Sequence, residues 1–442
     1  MLTLLNESLW GDEGFSALAV MKPFKEMMGV VLRDTAPPGF YVIGWTWTRL
    51  FGSSEAALRS LPLLLMLGAG VFSGLIVYEI TKKRWVAILT GLLAFLSPFT
   101  FPYAFEWRMY ALLTFATLGS IYFFIARRWK GYVAMTVLAL YTHHLALFTV
   151  AVQGLWFLKT EFSNHGKKWS QEKIIKALKH IWPFWLVIGL YVPWLYPMYL
   201  QTTRVQGAGF WLKAPRLLEL LGLMGKFLVG GVKPEWWLAV GVMVLILLLG
   251  KRWKQVGKGW LEVLLVVMAP VVFSFIVSYL ITPVFYDRYL LSVVMGIAVL
   301  VGMGIRKELV VVLMALVVIY GYSSYQLFRQ PHKRPFREMA SQVKAELKEG
   351  DFLLNYNGAA HHLWETKYYG IPGPIYVPKG ELPLWVGTAQ MTEEDILKEI
   401  PREAKRLVVV TSEPVEKVVI EGGWQVSQVS EFESIRTVWM ER

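Results

Sequence analysis

The chain contains no cysteine, which excludes disulfides, thiolate metal sites and cysteine nucleophiles and leaves the redox compartment unmarked. Charge is scarce as well: Asp, Glu, Lys and Arg make up 17% of 442 residues, against roughly a quarter in ordinary soluble domains. The sequence shows no Gly-rich phosphate loop, zinc-ligand spacing or nucleophile elbow, and no internal repeat or low-complexity tract. Met1 to Trp10 lack the basic end and long apolar core of a cleavable signal.

What is abundant is apolar surface. Hydrophobic residues make up 55% of the chain and aromatics 15%, with a mean hydropathy of +0.45, the composition of a polytopic membrane protein. The charge that exists leans one way, 45 Lys and Arg against 32 Asp and Glu, a formal +13. Those cations lie in short loops between apolar runs, where they orient a membrane protein. The aromatics sit inside the apolar runs rather than among basic residues, which argues against a nucleic-acid partner.

Crossings are expected at Leu61–Ile80, Trp85–Pro102, Met109–Ala126, Ile181–Leu200, Trp236–Gly250, Leu261–Ile281, Tyr289–Ile305 and Leu309–Phe328, each near the roughly 20 apolar residues a bilayer demands. Gly131–Leu158 is too long for one crossing and short for two, and Leu217–Gly230 is weakly apolar and suits the interface. Charge settles the first case. Lys82, Lys83 and Arg84, then Arg127, Arg128 and Lys130, then Lys159, Lys167, Lys168, Lys173, Lys176 and Lys179 share the cytoplasmic side only if Gly131–Leu158 goes out and back. Its turn then falls at Tyr141-Thr142-His143-His144, two half-crossings of the kind tolerated where backbone lines a protein cavity. Lys251, Arg252, Lys254, Lys258, Arg306 and Lys307 follow on the inside. The loops with Asp12-Glu13, Arg33-Asp34, Glu106, His143, Phe210-Trp211 and Asp287-Arg288 are then all external.

Before the first crossing, Ala17, Val20, Met21, Phe24, Met28 and Val31 recur at helical spacing, which predicts an amphipathic segment lying flat on the outer surface. A second short helix is predicted over Phe40–Phe51, after Pro37-Pro38. Beyond Phe328 charges become frequent. Phe336, Met339, Ala340, Val343 and Leu347 make a helical stripe ending at Gly350; Asp351–Tyr356, Arg406–Thr411, Lys417–Ile420 and Arg436–Met440 read as strands, and Thr392 as the cap of a helix through Ile400. The expected organisation is thus residues 1–330 as a membrane domain, with 12–57 as its first external loop, and 331–442 as a small extracytoplasmic α/β domain.

Among the polar clusters, Asp12 sits in an external loop with no basic neighbour in sequence, which suits a carboxylate that accepts a proton or orients an acceptor hydroxyl; a helix N-cap is the plain alternative. Arg108 and Arg288 present planar forks at the outer boundary, where a lipid phosphate would lie, or anchor helix ends by snorkelling. Each has an acid within two residues, Glu106 and Asp287. His143 and His144 point about 100° apart on a helix, so one of them either joins Glu106 or Asp34 around a metal or hydrogen-bonds the broken backbone. His361-His362 falls in the outer domain, where a surface or core role is the default.

Taken in order, Ser8-Leu9-Trp10-Gly11-Asp12-Glu13, Asp34-Thr35-Ala36-Pro37-Pro38-Gly39-Phe40-Tyr41, Leu50-Phe51-Gly52-Ser53-Ser54-Glu55 with Leu58-Arg59-Ser60-Leu61-Pro62, Ser97-Pro98 with Tyr103 to Tyr110, Tyr141 to His144, and Asp287-Arg288-Tyr289-Leu290 resemble the dolichyl-phosphate-mannose protein mannosyltransferase-like proteins. These belong to the GT-C glycosyltransferase superfold, alongside the lipid A aminoarabinose transferases. The resemblance covers about residues 5 to 330. It implies a polytopic α-helical membrane protein of GT-C type, with about 9–11 membrane helices or half-helices and a small C-terminal α/β extracytoplasmic domain. It implies a sugar donor on a polyprenyl phosphate, inverting transfer on the outer face, and an acid of the first external loop as base, which maps onto Asp12. Glu13, Asp34, Glu106, Arg108, Tyr110, His143, Arg288 and Tyr289 would line the cavity or hold the lipid phosphate.

Such proteins carry a membrane helix ahead of the acidic motif, whereas eleven residues precede Asp12 here; an in-frame apolar helix upstream of Met1 is the expectation. The acceptor is a protein, glycan or lipid. No cofactor is specified, with a divalent metal left open, and the expected location is the cytoplasmic membrane of a prokaryote. Two other classes stay open: a lipid-linked sugar transporter or flippase, against which the absence of repeated halves speaks, and a non-catalytic glycan-binding relative.

Overall fold

The computed structural model describes residues 2–164, 179–208, 212–230, 259–306, 309–356, 362–379 and 388–442. The expected crossing Trp236–Gly250 and the Phe210-Trp211 loop lie outside them. The chain forms two compact units: Ala36–Phe40 with Arg59–Arg329, and Met1–Thr35, Tyr41–Leu58 and Gln330–Arg442.

The first unit is helical. Long apolar runs fold as α4 (Glu55–Thr81), α9 (Trp182–Ala208), α11 (Trp260–Leu280), α12 (Leu291–Gly304, led by a 3-10 turn Asp287–Leu290) and α13 (Val310–Arg329). Among the described residues these supply five helices long and apolar enough to cross a membrane. Shorter ones join them: α5 (Arg84–Phe95), α6 (Tyr110–Ile125), α7 (Trp129–Leu140), α8 (Ala146–Asn164) and α10 (Leu217–Val229). Trp185, Ile188, Tyr196, Tyr199, Val311, Val318 and Tyr322 of α9 and α13 stay exposed, and a large apolar patch of this kind needs a non-aqueous neighbour. Gly131–Leu158 does form a helix, a turn and a second helix. The expected crossing Trp85–Pro102 is shorter than its apolar run: α5 ends at Phe95 and the chain re-forms as a 3-10 turn, Phe101–Phe105, because the residue before Pro98 is barred from helical geometry.

The second unit is built on a six-stranded sheet, order β3-β2-β1-β4-β6-β5. β1 (Asp351–Tyr356), β2 (Ile375–Tyr376), β3 (Ile396–Leu397) and β4 (Arg406–Thr411) are parallel; β6 (Ile435–Glu441) pairs antiparallel with β4 on one side and with the edge strand β5 (Gln425–Phe432) on the other. Leu407 and Val409 face one core and Val408 and Val410 the other, so β4 is apolar on both sides, as a central strand must be. The second core is closed by Phe336, Met339, Ala340 and Val343 of α14 (Phe336–Glu346), the stripe expected from sequence. α15 (His362–Tyr368) completes this part.

Two readings are corrected here. Lys417–Ile420 forms no strand: Val418 and Ile420 are buried and Val419 is exposed, the alternation of a strand, but the Tyr356 hydroxyl donates to the Lys417 carbonyl and accepts the Val419 N–H instead of a ladder partner. Thr392 caps only a single 3-10 turn, Glu393–Asp395. Asp395 is held by Lys367, and Ile396–Leu397 is drawn into the sheet beside Ile375–Tyr376.

The N-terminal helices belong to this unit as well: α1 (Gly11–Met21), α2 (Phe24–Arg33) and most of α3 (Gly39–Phe51). The amphipathic segment is not continuous. Pro23, which cannot sit inside a helix without losing a hydrogen bond, separates α1 from α2.

Candidate active site

Three turns of the helical unit meet at one end of its helices. The 3-10 turn before α12 presents Arg288, whose Nη2 donates to the Tyr286 hydroxyl at 2.7 Å and whose Nη1 reaches the Tyr110 hydroxyl, at the start of α6, at 3.4 Å. The guanidinium also lies over the Tyr286 ring, 4.7 Å from its centroid. Arg108 stands 5.9 Å from the Tyr110 ring, so both arginines flank one phenol. Tyr289 lies between Tyr110, at 5.9 Å, and His143, at 4.6 Å between centroids, its ring tilted by more than 40° to each. Asp287 is paired with Lys226 of α10, and its Oδ1 accepts the Arg288 N–H at 2.7 Å.

His143 belongs to the turn between α7 and α8, where its Nδ1 accepts the Leu145 N–H at 3.2 Å. That is the backbone-closing role open to it from sequence. Among the described residues no three His, Asp or Glu side chains gather as a metal would need. Glu106 closes a tight turn, its carbonyl accepting the Arg108 N–H at 2.7 Å. Beside it, Trp107 is fully buried against Phe40, with centroids 5.1 Å apart. Gly39 begins α3 with its N–H 2.6 Å from the Tyr141 carbonyl oxygen, and a Cβ there would stand equally close to that atom. The Pro37-Pro38-Gly39 run therefore packs directly on the His143 turn.

The opposite ends of the same helices carry a different set. Arg127, after α6, lies 3.9 Å from Glu262 at the start of α11; His180 pairs with Glu161 at 2.7 Å; Lys83 donates to the Ile305 carbonyl, after α12, at 3.4 Å. The 16 residues of α6, at about 1.5 Å each, hold the two ends roughly 24 Å apart.

In the other unit Asp12 and Glu13 occupy the first turn of α1, where the helix dipole favours negative charge. Asp12 is not the N-cap; Trp10 holds that position, and its N–H is taken by the Glu13 carboxylate at 3.3 Å. Glu13 is fully buried and accepts from Lys333 at 2.8 Å. Glu7, also buried, takes the His332 and Lys333 N–H groups at 2.9 and 3.2 Å. Asp12 itself is partly exposed, and its carbonyl accepts the Ser16 hydroxyl at 3.0 Å. Asp34 follows α2, where its carboxylate accepts the Tyr41 hydroxyl at 3.1 Å. Of the residues expected from sequence, the structure thus gathers Arg108, Tyr110, His143, Arg288 and Tyr289 in the helical unit, with Glu106 on the same turn as Arg108. In the sheet-bearing unit it sets Asp12 beside Glu13, with Asp34 on a separate turn.

Sequence reasoning did not single out Tyr286 as a partner of Arg288, Lys226, or the acid Glu365 of α15. Tyr286 adjoins the recognised Asp287-Arg288 pair and could have been found there. Lys226 lies in the segment placed at the interface. Glu365 carries no sequence signal.

A membrane-helical unit with a small appended sheet is the GT-C type of architecture. Two crystal structures of ArnT from Cupriavidus metallidurans share this fold. The apo form matches at a TM-score of 0.61 with 13% identity, over 98% of this chain and 94% of that one. The form bound to undecaprenyl phosphate matches at 0.62 with 13% identity, over 99% and 95%. Comparison of the sequence with family models gives no match, and comparison with curated proteins gives none.

Proposed function

We propose that this integral membrane protein is a glycosyltransferase that moves a sugar from a polyprenyl-phosphate donor to a hydroxyl of a protein, glycan or lipid acceptor on the extracytoplasmic face. The observation that carries the reading is the meeting of Arg288, Arg108, Tyr110, Tyr286 and Tyr289 at the end of the bundle away from Arg127 and Lys83. Planar cations fixed by phenols suit a phosphate, and the fold is that of ArnT, one of whose structures holds undecaprenyl phosphate.

In this mechanism Asp12 takes the proton of the acceptor hydroxyl as its oxygen attacks the anomeric carbon. The bond from that carbon to the phosphate oxygen breaks, and inversion follows from the single displacement. The leaving polyprenyl phosphate gains charge, which Arg288 and Arg108 stabilise. Asp34, Glu106 and His143 shape the polar lining, while Glu13 is committed to Lys333. Residues 331–442 then lie outside the cytoplasmic membrane of a prokaryote.

The test is Asp12→Asn in the full chain. Radiolabelled undecaprenyl-phosphate monosaccharides serve as donors and a native membrane extract as acceptor. Covalent transfer should fall by about 10² to 10⁴, the usual contribution of a positioned base, with insertion and melting temperature unchanged. Undiminished transfer removes Asp12 from the role, and label that crosses the bilayer without covalent transfer indicates a transporter.

A further inference from the structure

α1 and α15 pack closely enough that a Cβ on Gly14 would stand 3.1 Å from the Trp364 carbonyl group; Phe15 and Trp364 meet edge to face at 5.5 Å. This contact slides the next residue of α15, Glu365, under the first turn of α1. Glu365 is 3% exposed. Its carboxyl accepts the N–H of Gly11, the residue before Asp12, and among the described residues its Oε2 has no hydrogen-bond partner.

The charged groups around it are Asp12 and Glu13 from α1 and Arg334 from the segment before α14. Arg334 contacts Nε2 of the buried His362 at 2.8 Å, and Lys333 lies between Glu7 and Glu13. Glu7 and Glu13 thus share Lys333, while Arg334, which faces Glu365, also reaches His362. A third buried anion would have only a shared guanidinium beside it and an oxygen, Oε2, with no hydrogen bond among the described residues, and a charge buried so incompletely paired is costly. Burial pushes the Glu365 carboxyl well above its ordinary range, with Asp12 and Glu13 adding to the effect against the pull of Arg334 and the Gly11 N–H.

We infer that Glu365 is a positioning residue for Asp12: as the uncharged acid it seats the first turn of α1, and its ionisation displaces that turn. The inference rests on Asp12 as base but can be read separately from it. A carboxyl that favours the protonated form when folded binds more protons in the native than in the unfolded state above its ordinary range. Stability from the uncharged form is therefore complete at acid pH and lost as pH rises through the folded value.

Wild type, Glu365→Gln and Glu365→Ala full chains are compared in detergent. Infrared spectra at neutral pH should show a protonated-acid carbonyl band that is missing from Glu365→Gln. The melting temperature of the wild type should fall more steeply with rising pH than that of Glu365→Gln. In transfer assays the wild type should lose up to tenfold activity per pH unit on its alkaline side. Glu365→Gln, the isostere of the neutral acid, should lack that limb, and Glu365→Ala should lower kcat at least tenfold with KM for the donor unchanged. Absence of the band, or equal melting slopes, overturns the uncharged acid; superimposable alkaline limbs overturn the link to Asp12. If Asp12→Asn stays active the base assignment fails instead, while the infrared and melting results still decide the state of Glu365.

Discussion

Arg288 is fixed before any ligand arrives. Its fork is held by two phenols and its ring-stacked plane cannot rotate freely, so the cost of ordering a long side chain falls on folding rather than on binding. Lysine at this position keeps the charge but not the fork. A hydrogen bond to a charged group contributes about 1.5–3 kcal/mol, so Arg288→Lys should lower kcat/KM for the lipid donor by roughly 10- to 150-fold. Tyr286→Phe leaves the guanidinium in place with one anchor gone and should cost less, about tenfold or under, mostly in KM. Steady-state kinetics on both variants tests the ranking; equal activity in all three proteins would remove Arg288 from donor binding.

Elements show where sequence reasoning reaches and where it stops. Runs of apolar residues declare their own length, so α6, α11 and α13 follow the expected crossings closely, while α4 begins before its apolar run, at Glu55. The two-residue strands β2 and β3 are too short to leave a pattern, and β5 is a polar, exposed edge with a register shift between Val426 and Gln428. The arginines of the site were legible because each has an acid beside it in sequence. Glu365 was not, because its meaning comes wholly from the packing of α15 on α1. That packing is open to test through two glycines. In a helix, Gly→Ala gains about 1 kcal/mol. At Gly14 the new methyl meets backbone atoms of Trp364, which cannot step aside, and overpacking costs about 1–3 kcal/mol. At Gly29 of α2 its nearest neighbour is the flexible end of Arg33, at 3.7 Å. Gly14→Ala should therefore lower the melting temperature and Gly29→Ala should raise it slightly; the same sign in both would mean that α1 and α15 are less closely packed than described.

At the scale of the whole chain, the helical bundle has two chemically distinct ends. Lys82, Lys83, Arg84, Arg127, Arg128, Lys130 and Lys159 gather at one, while the phenol-flanked arginines and the His143 turn occupy the other. α9 carries Trp182 and Trp185 near its start and Tyr196 and Tyr199 further on, about 21 Å along the axis by rise per residue. Basic loops stay in the cytoplasm, so the proposed function requires the candidate site to face outside. The lack of cysteine makes this directly measurable, since any introduced thiol is unique. Lys82→Cys lies at the basic end, Thr202→Cys near the end of α9 beside the Gln201 contact to Ala36, and Lys348→Cys after α14; all three positions are exposed. In sealed, right-side-out vesicles a membrane-impermeant maleimide should label Thr202→Cys and Lys348→Cys at once and Lys82→Cys only after permeabilisation. Labelling of Lys82→Cys and Thr202→Cys from one side would mean that the chain does not cross between them as its charges require, and lipid-phosphate chemistry at Arg288 on the outer face would have no basis.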